Sequence, residues 1–160
     1  MARLKVGLIG TGLIANLKHI PAWQRIASEV ELAAICDLKE ENAQKVAGKF
    51  GIGSVYSDID KMLGEVKPDI VDICTPPKTH CPIAVQVMNA GTNVFIEKPM
   101  AMDLEECDRI IEARDRNNVQ VMCGHSDLFY DAFIKARRML DEGAIGAFHG
   151  MRIFASTPRD

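Results

Sequence analysis

Between residues 4 and 123 the chain alternates short apolar, β-branched-rich runs with longer segments of helical spacing, and this alternation restricts its fold more than any other feature. The runs are Leu4 to Ile9, Leu32 to Cys36, Ile70 to Cys74, Val94 to Ile96 and Val119 to Cys123, with a weaker sixth at Ser54 to Tyr56. Apolar runs of this length read as strands buried on both faces, and strands separated by helices pair in parallel because each connection must cross over the sheet. The intervening segments carry helix signals. Asp103 followed three residues later by Glu106 forms a capping box, and Leu104, Cys107, Ile110, Ile111 and Arg114 keep helical spacing behind it. Thr79 to Ala90 has Pro82 near its first turn and Gly91 just past its end, and Asp131 to Glu142 stops at Gly143. Pro21 is expected to break the first helix into two pieces. The architecture indicated is a doubly wound α/β domain with a parallel sheet.

A chain of 160 residues supports one such core without a metal or disulfide staple. A net charge of -3, with lysines and arginines spread along the chain, argues against nucleic acid as the main partner, and no apolar run approaches the length of a membrane span. The five cysteines, Cys36, Cys74, Cys81, Cys107 and Cys123, include no C-x-x-C pair. Free thiols in a reducing cytoplasm are the expectation.

The first strand runs into Gly10-Thr11-Gly12-Leu13-Ile14-Ala15 and then a helix, and Asp37 closes the second strand. This is the dinucleotide fingerprint of a Rossmann fold in its G-x-G-x-x-A form. Gly10 permits the sharp turn, Gly12 leaves room for a pyrophosphate at the helix N-terminus, and Ala15 allows the helix to lie close on the strand. Taken alone, the glycines are equally compatible with a turn that faces no ligand. Asp37 is placed to accept from the adenosine ribose hydroxyls and to repel a 2′-phosphate, favouring NAD over NADP, while Lys39 can soften that preference. Two more loops fall at the carboxyl ends of strands: Thr75-Pro76-Pro77-Lys78-Thr79-His80 and Glu97-Lys98-Pro99. With the strand order of a doubly wound sheet they converge with the glycine loop on one crevice. Each has a plainer explanation, since Pro76-Pro77 can simply end a strand, His80 can cap a helix and Lys98 can be solvated surface.

The combination of GTGLIA, Asp37, CTPPKTH and FIEKPMA resembles the glucose-fructose oxidoreductase and inositol dehydrogenase family, Gfo/Idh/MocA, from about Lys5 to Ile153. The resemblance implies hydride transfer between a nicotinamide cofactor and a sugar, cyclitol or related hydroxy compound. It implies that Lys98 is catalytic, contacting the nicotinamide ribose and the reacting hydroxyl, and that Thr75, Pro76, His80 and Glu97 line the nicotinamide side of the cleft. Together with Gly10, Thr11, Gly12, Leu13, Ile14, Asp37 and Lys98 these make the cofactor set, with no metal site. It also implies a cis bond at Lys98-Pro99. The division expected is 1–124 for the dinucleotide domain and 125–160 for a helix and first strand of a sheet-rich substrate domain, so that the 160-residue chain alone is inactive. Where relatives carry an arginine and a proline after the sixth strand this chain has Leu128 and Asp131; His125 and Asp127 read equally as substrate ligands or as loop caps. Alternating residues from Ala147 to Ala155 are apolar on both faces, which predicts a strand that self-associates into a homo-oligomer or, failing that, a disordered tail. Two function classes stay open: the cofactor half of an oxidoreductase, and a dinucleotide-binding regulatory module without catalysis.

Overall fold

The first apolar run becomes β1 (Leu4–Ile9), and its alternate residues supply two different cores, as strand geometry requires. Leu8 packs with Ala15, Ile20, Ile35, Val46 and Cys74. Its neighbour Ile9 packs with Met62, Val71, Ile73, Met88 and Ile96 on the opposite side. Burying each of these large side chains contributes about 1.5–3 kcal/mol, so a sheet covered on both faces is the arrangement the apolar runs demand. The structure is a computed structural model that describes residues 2–152 and 154.

The remaining elements follow in strict alternation: α1 (Ile20–Arg25), β2 (Val30–Cys36), α2 (Glu40–Phe50), β3 (Ser54–Tyr56), α3 (Ile59–Val66), β4 (Ile70–Ile73), α4 (His80–Asn89), β5 (Asn93–Ile96), α5 (Leu104–Asn117) and β6 (Val121–Cys123). The six strands form one parallel sheet in the order β3-β2-β1-β4-β5-β6, a Rossmann-like doubly wound sheet. β1 and β4 are neighbours that lead to opposite halves, which opens the crevice at their carboxyl ends. The hydrogen-bond ladder runs one residue past the strands there: Gly10 N donates to Cys36 O, Cys74 N to Ile9 O and Glu97 N to Ile73 O. These bonds align the starts of three loops on one edge.

Local signals are realised with two changes. Asp103 caps α5 by accepting from Glu106 N at 2.8 Å, but the Glu106 carboxylate reaches back to Met102 N at 3.0 Å, one residue earlier than the usual box. Pro21 does not split the first helix. Residues 13–25 are continuously helical, with a π-helical stretch at Ala15–His19 immediately before α1. The wider π turn lets Ala15, His19 and Ile20 all face inward, and Ile20 N bonds Ala15 O, so the proline enters as the first turn of α1 and interrupts nothing.

Residues group into two compact units, Met1–Gly124 and His125–Asp160. The second contains a 3₁₀ turn (Ser126–Phe129) and α6 (Asp131–Asp141), followed by Gly143 in a left-handed conformation. The expected strand from Ala147 to Ala155 is not formed at residues 147–152; residues 153 and 155 lie outside those described. A strand is defined by pairing, and within this unit no described segment offers it an edge.

Candidate active site

Gly10 is buried with φ of +91°, and a Cβ there would stand 2.8 Å from Thr75 Cγ2 and 2.9 Å from the backbone of Cys74 and Thr75. The turn therefore presses against the end of β4, and any side chain there is strained in both conformation and space. Gly12 is the opposite case. A Cβ on it would meet nothing within 4 Å, so its missing side chain serves no packing need of the protein and leaves open space in front of the helix start. Leu13, Ile14 and Leu17 are exposed beside it, while Ala15 is buried against the sheet. This fits a pyrophosphate group: free backbone N–H groups at a helix N-terminus, with the approach unblocked.

Asp37 follows β2 and turns toward the same loop. One carboxylate oxygen accepts from both the Thr11 amide (2.9 Å) and the Thr11 hydroxyl (2.6 Å), and the other accepts from the Lys39 amide (3.0 Å). Burial alone would raise its carboxyl, but these bonds and the nearby Lys39 charge outweigh it and hold the group below its ordinary value. Of about four acceptor positions on a carboxylate, three are used; the one remaining is on the oxygen that bonds Lys39, free to accept a hydroxyl. Asp37 thus braces the glycine loop and keeps an acceptor for a ligand. Leu38 beside it is almost fully exposed.

The third and fourth loops are joined by His80, which lies buried at the start of α4. Its ring bridges the Pro99 carbonyl and the Thr75 carbonyl, each at 2.8 Å. Thr79 Oγ1 is 2.8 Å from both Thr75 Oγ1 and the Pro76 carbonyl oxygen. Thr75 is half-buried and Pro76 exposed at the crevice edge. The His80 side chain accordingly holds two loops together from inside and offers no free atom to the crevice. The Lys98-Pro99 bond is cis and Lys98 is exposed. Glu97 turns the other way, inward, with its side chain 15% exposed and Oε1 3.4 Å from His19 Nε2.

That contact belongs to a buried network which sequence reasoning missed. His19 Nδ1 lies 2.9 and 3.0 Å from the two oxygens of Asp72, Trp23 Nε1 donates to Asp72 at 2.7 Å, and the Cys74 thiol is 3.5 Å from the same carboxylate. Phe95 covers the group, its ring 5.7 Å from His19 and 6.3 Å from Trp23. A signal was available, because Asp72 sits at the centre of the otherwise apolar run Ile70 to Cys74, and a buried carboxylate must find partners. His19, Asp72 and Cys74 bring potential metal ligands within 4.8 Å of one another. The carboxylate is already engaged by Trp23 and His19, however, and burial, reinforced by Asp72 and Glu97, drives the Cys74 thiol far above its ordinary value, away from the thiolate a metal needs. His125 and Asp127 are exposed, in the second unit, at the 3₁₀ turn.

The chain matches the family model described as "Oxidoreductase family, NAD-binding Rossmann fold" (GFO_IDH_MocA) over residues 4–125. It is 31% identical over 159 residues to inositol 2-dehydrogenase of Salmonella typhimurium, covering 96% of this chain and 47% of that protein. It is 32% identical over 147 residues to D-glucoside 3-dehydrogenase of Escherichia coli, covering 91% and 41%. Among solved structures it resembles the WlbA dehydrogenase of Bordetella pertussis in complex with NADH and UDP-GlcNAcA, at a TM-score of 0.85 and 28% identity over 91% of this chain and 44% of that one. Scyllo-inositol dehydrogenase of Lactobacillus casei with bound NAD(H) and scyllo-inositol gives a TM-score of 0.83 at 25% identity, over 91% and 43%. The chain spans less than half the length of these relatives. With a glycine turn pressed on β4, an open helix start and Asp37 beside it, this chain belongs to the Gfo/Idh/MocA oxidoreductase family and carries its NAD-binding Rossmann fold.

Proposed function

We propose that the chain is the cofactor-binding half of an NAD-dependent dehydrogenase acting on a polyol or sugar, and that Lys98 is its catalytic residue. The observation that carries this is the pairing of open space at Gly12 with an exposed, unencumbered Lys98 on the same carboxyl edge of the sheet. In this reading Gly10, Thr11, Gly12, Leu13 and Ile14 receive the pyrophosphate, Asp37 the adenosine ribose, and Thr75, Pro76 and Lys98 the nicotinamide side, with His80 fastening the last two loops and Glu97 turned inward toward His19. Bound there, a nicotinamide dinucleotide supplies the hydride acceptor or donor. Lys98 does what the chain itself must do: its ammonium steadies the oxyanion that forms as the substrate hydroxyl becomes a carbonyl, and orients that oxygen. Asp37 selects NAD over NADP by like-charge repulsion of a 2′-phosphate.

The inositol and glucoside dehydrogenases among the relatives, and the UDP-GlcNAcA bound in one of the similar structures, support hydroxyl-bearing rings as the substrate class. The proton acceptor and the rest of the substrate pocket are assigned to a second domain, of which residues 125–160 would form the beginning. A reducing cytoplasm fits the five free cysteines. Association of copies through the apolar segment that exposes Phe148, Met151 and Phe154 belongs to the same proposal, and light scattering on the chain against a version ending at Gly143 tests it; two monomers would remove it. The central test is calorimetric or fluorescence titration with NADH and NADPH. NADH should bind more tightly; equal or tighter NADPH binding refutes the assignment of Asp37.

A further inference from the structure

The network of His19, Asp72, Trp23 and Glu97 has no part in the chemistry above, although it contains the most deeply buried charge of the first unit. Asp72 is fully buried in β4, and replacing such a group by apolar packing would usually cost a protein nothing. Its connections explain its presence. His19 and Trp23 belong to the helix that starts at the glycine loop, Asp72 to β4, and Glu97 to the end of β5 beside Lys98. Three elements that meet at the crevice are joined underneath it.

Consecutive residues in extended chain point to opposite sides. Glu97 goes inward to His19 and Lys98 outward to solvent. We infer that His19 is a positioning residue: held by Asp72, it anchors Glu97 on the inner side and so sets the direction in which Lys98 leaves the backbone, relative to the helix that receives the pyrophosphate. This inference rests on the reading of the crevice as a dinucleotide site.

The arrangement requires a particular state of the ring. With both nitrogens protonated, Nδ1 donates to Asp72 and Nε2 to Glu97. A neutral ring keeping its proton toward Asp72 turns a lone pair on the Glu97 carboxylate, and the anchor is lost. Burial would lower the His19 value, but bonds and charge from Asp72 and Glu97 raise it above 6.5 overall. The groups facing the ring are Asp72 from β4, the Cys74 thiol just past β4, which burial keeps protonated and uncharged, Glu97 after β5, and the uncharged Trp23 and Phe95; Lys18 on its own helix is exposed. The anchor is therefore complete below pH 6.5 and released as the pH rises through the raised value.

The test compares NADH with ADP-ribose, which shares the pyrophosphate and adenosine but has no nicotinamide, by titration of the chain between about pH 6 and 9. The ratio of NADH to ADP-ribose affinity should fall with rising pH in the wild type, and His19→Gln should lower it by about tenfold at pH 6. Glu97→Gln should flatten the profile, because an amide can donate to the neutral ring as well as accept from the charged one. That variant keeps the test decisive if His19→Gln does not fold. A ratio independent of pH in the wild type, or the same pH profile in Glu97→Gln, overturns the inference while leaving dinucleotide binding intact. Failure of the wild type to bind either compound overturns the dinucleotide reading, and this inference with it.

Discussion

Replacing each of the two fingerprint glycines by alanine should separate folding from binding. At Gly10 the backbone is at φ +91°, which a side-chain-bearing residue tolerates at a cost of about 1–3 kcal/mol. The added Cβ also meets Thr75 and the backbone of Cys74 at 2.8–2.9 Å, and forcing the end of β4 to shift adds about 1–3 kcal/mol more. That backbone cannot move freely, since Cys74 N is bonded to Ile9 O at 2.8 Å. The sum, about 2–6 kcal/mol, is a large share of the ~5–15 kcal/mol that holds a domain together. With a urea slope of about 2 kcal/mol per molar, the midpoint should drop by roughly 1–3 M. The single tryptophan, Trp23, reports the transition by fluorescence because it is bonded to Asp72 and packed on Phe95. Gly12→Ala meets no atom within 4 Å, so its unfolding free energy should stay within about 0.5 kcal/mol of wild type, yet its NADH affinity should fall about tenfold or more. A Gly10→Ala midpoint equal to wild type would refute the close-approach argument. Unchanged NADH binding by Gly12→Ala would refute the assignment of the open space to a ligand.

Lys98→Met should leave dinucleotide affinity within about tenfold, or roughly 1.4 kcal/mol, and abolish turnover in a protein carrying this chain together with its second half; normal kcat there would make Lys98 structural. Asp37→Ser should narrow the difference between NADH and NADPH in the same titrations by removing a like charge. Asp37 also contributes to acid stability. Its folded value lies below 3.8, so its contribution is present above that pH and is lost as pH falls through the folded value; Asp37→Asn should show a shallower loss of stability below about pH 4 in urea melts, and an identical slope would discount the Thr11 bonds.

What the sequence determined by itself is whatever depends on neighbours along the chain. Strand runs, the Asp103 cap, Gly91 and Gly143 as helix ends and the turn at Gly10 are all local, and each takes the conformation its spacing implies because the relevant sterics act over a few residues. The order of the six strands was legible too, since crossover handedness and the switch point leave few alternatives. The tail from residue 147 was not, because its alternation specifies a strand's faces and not the partner it needs. Neither were the inward roles of His80 and Glu97: a residue type at a strand end does not say which side of the chain its side chain takes. The His19–Glu97 contact joins positions 78 residues apart, and its existence depends on a π turn that brings Ala15, His19 and Ile20 to one side and on β4 lying next to β5. Pairing between buried polar groups is decided by where the packed sheet brings them, and only the tertiary structure holds that information.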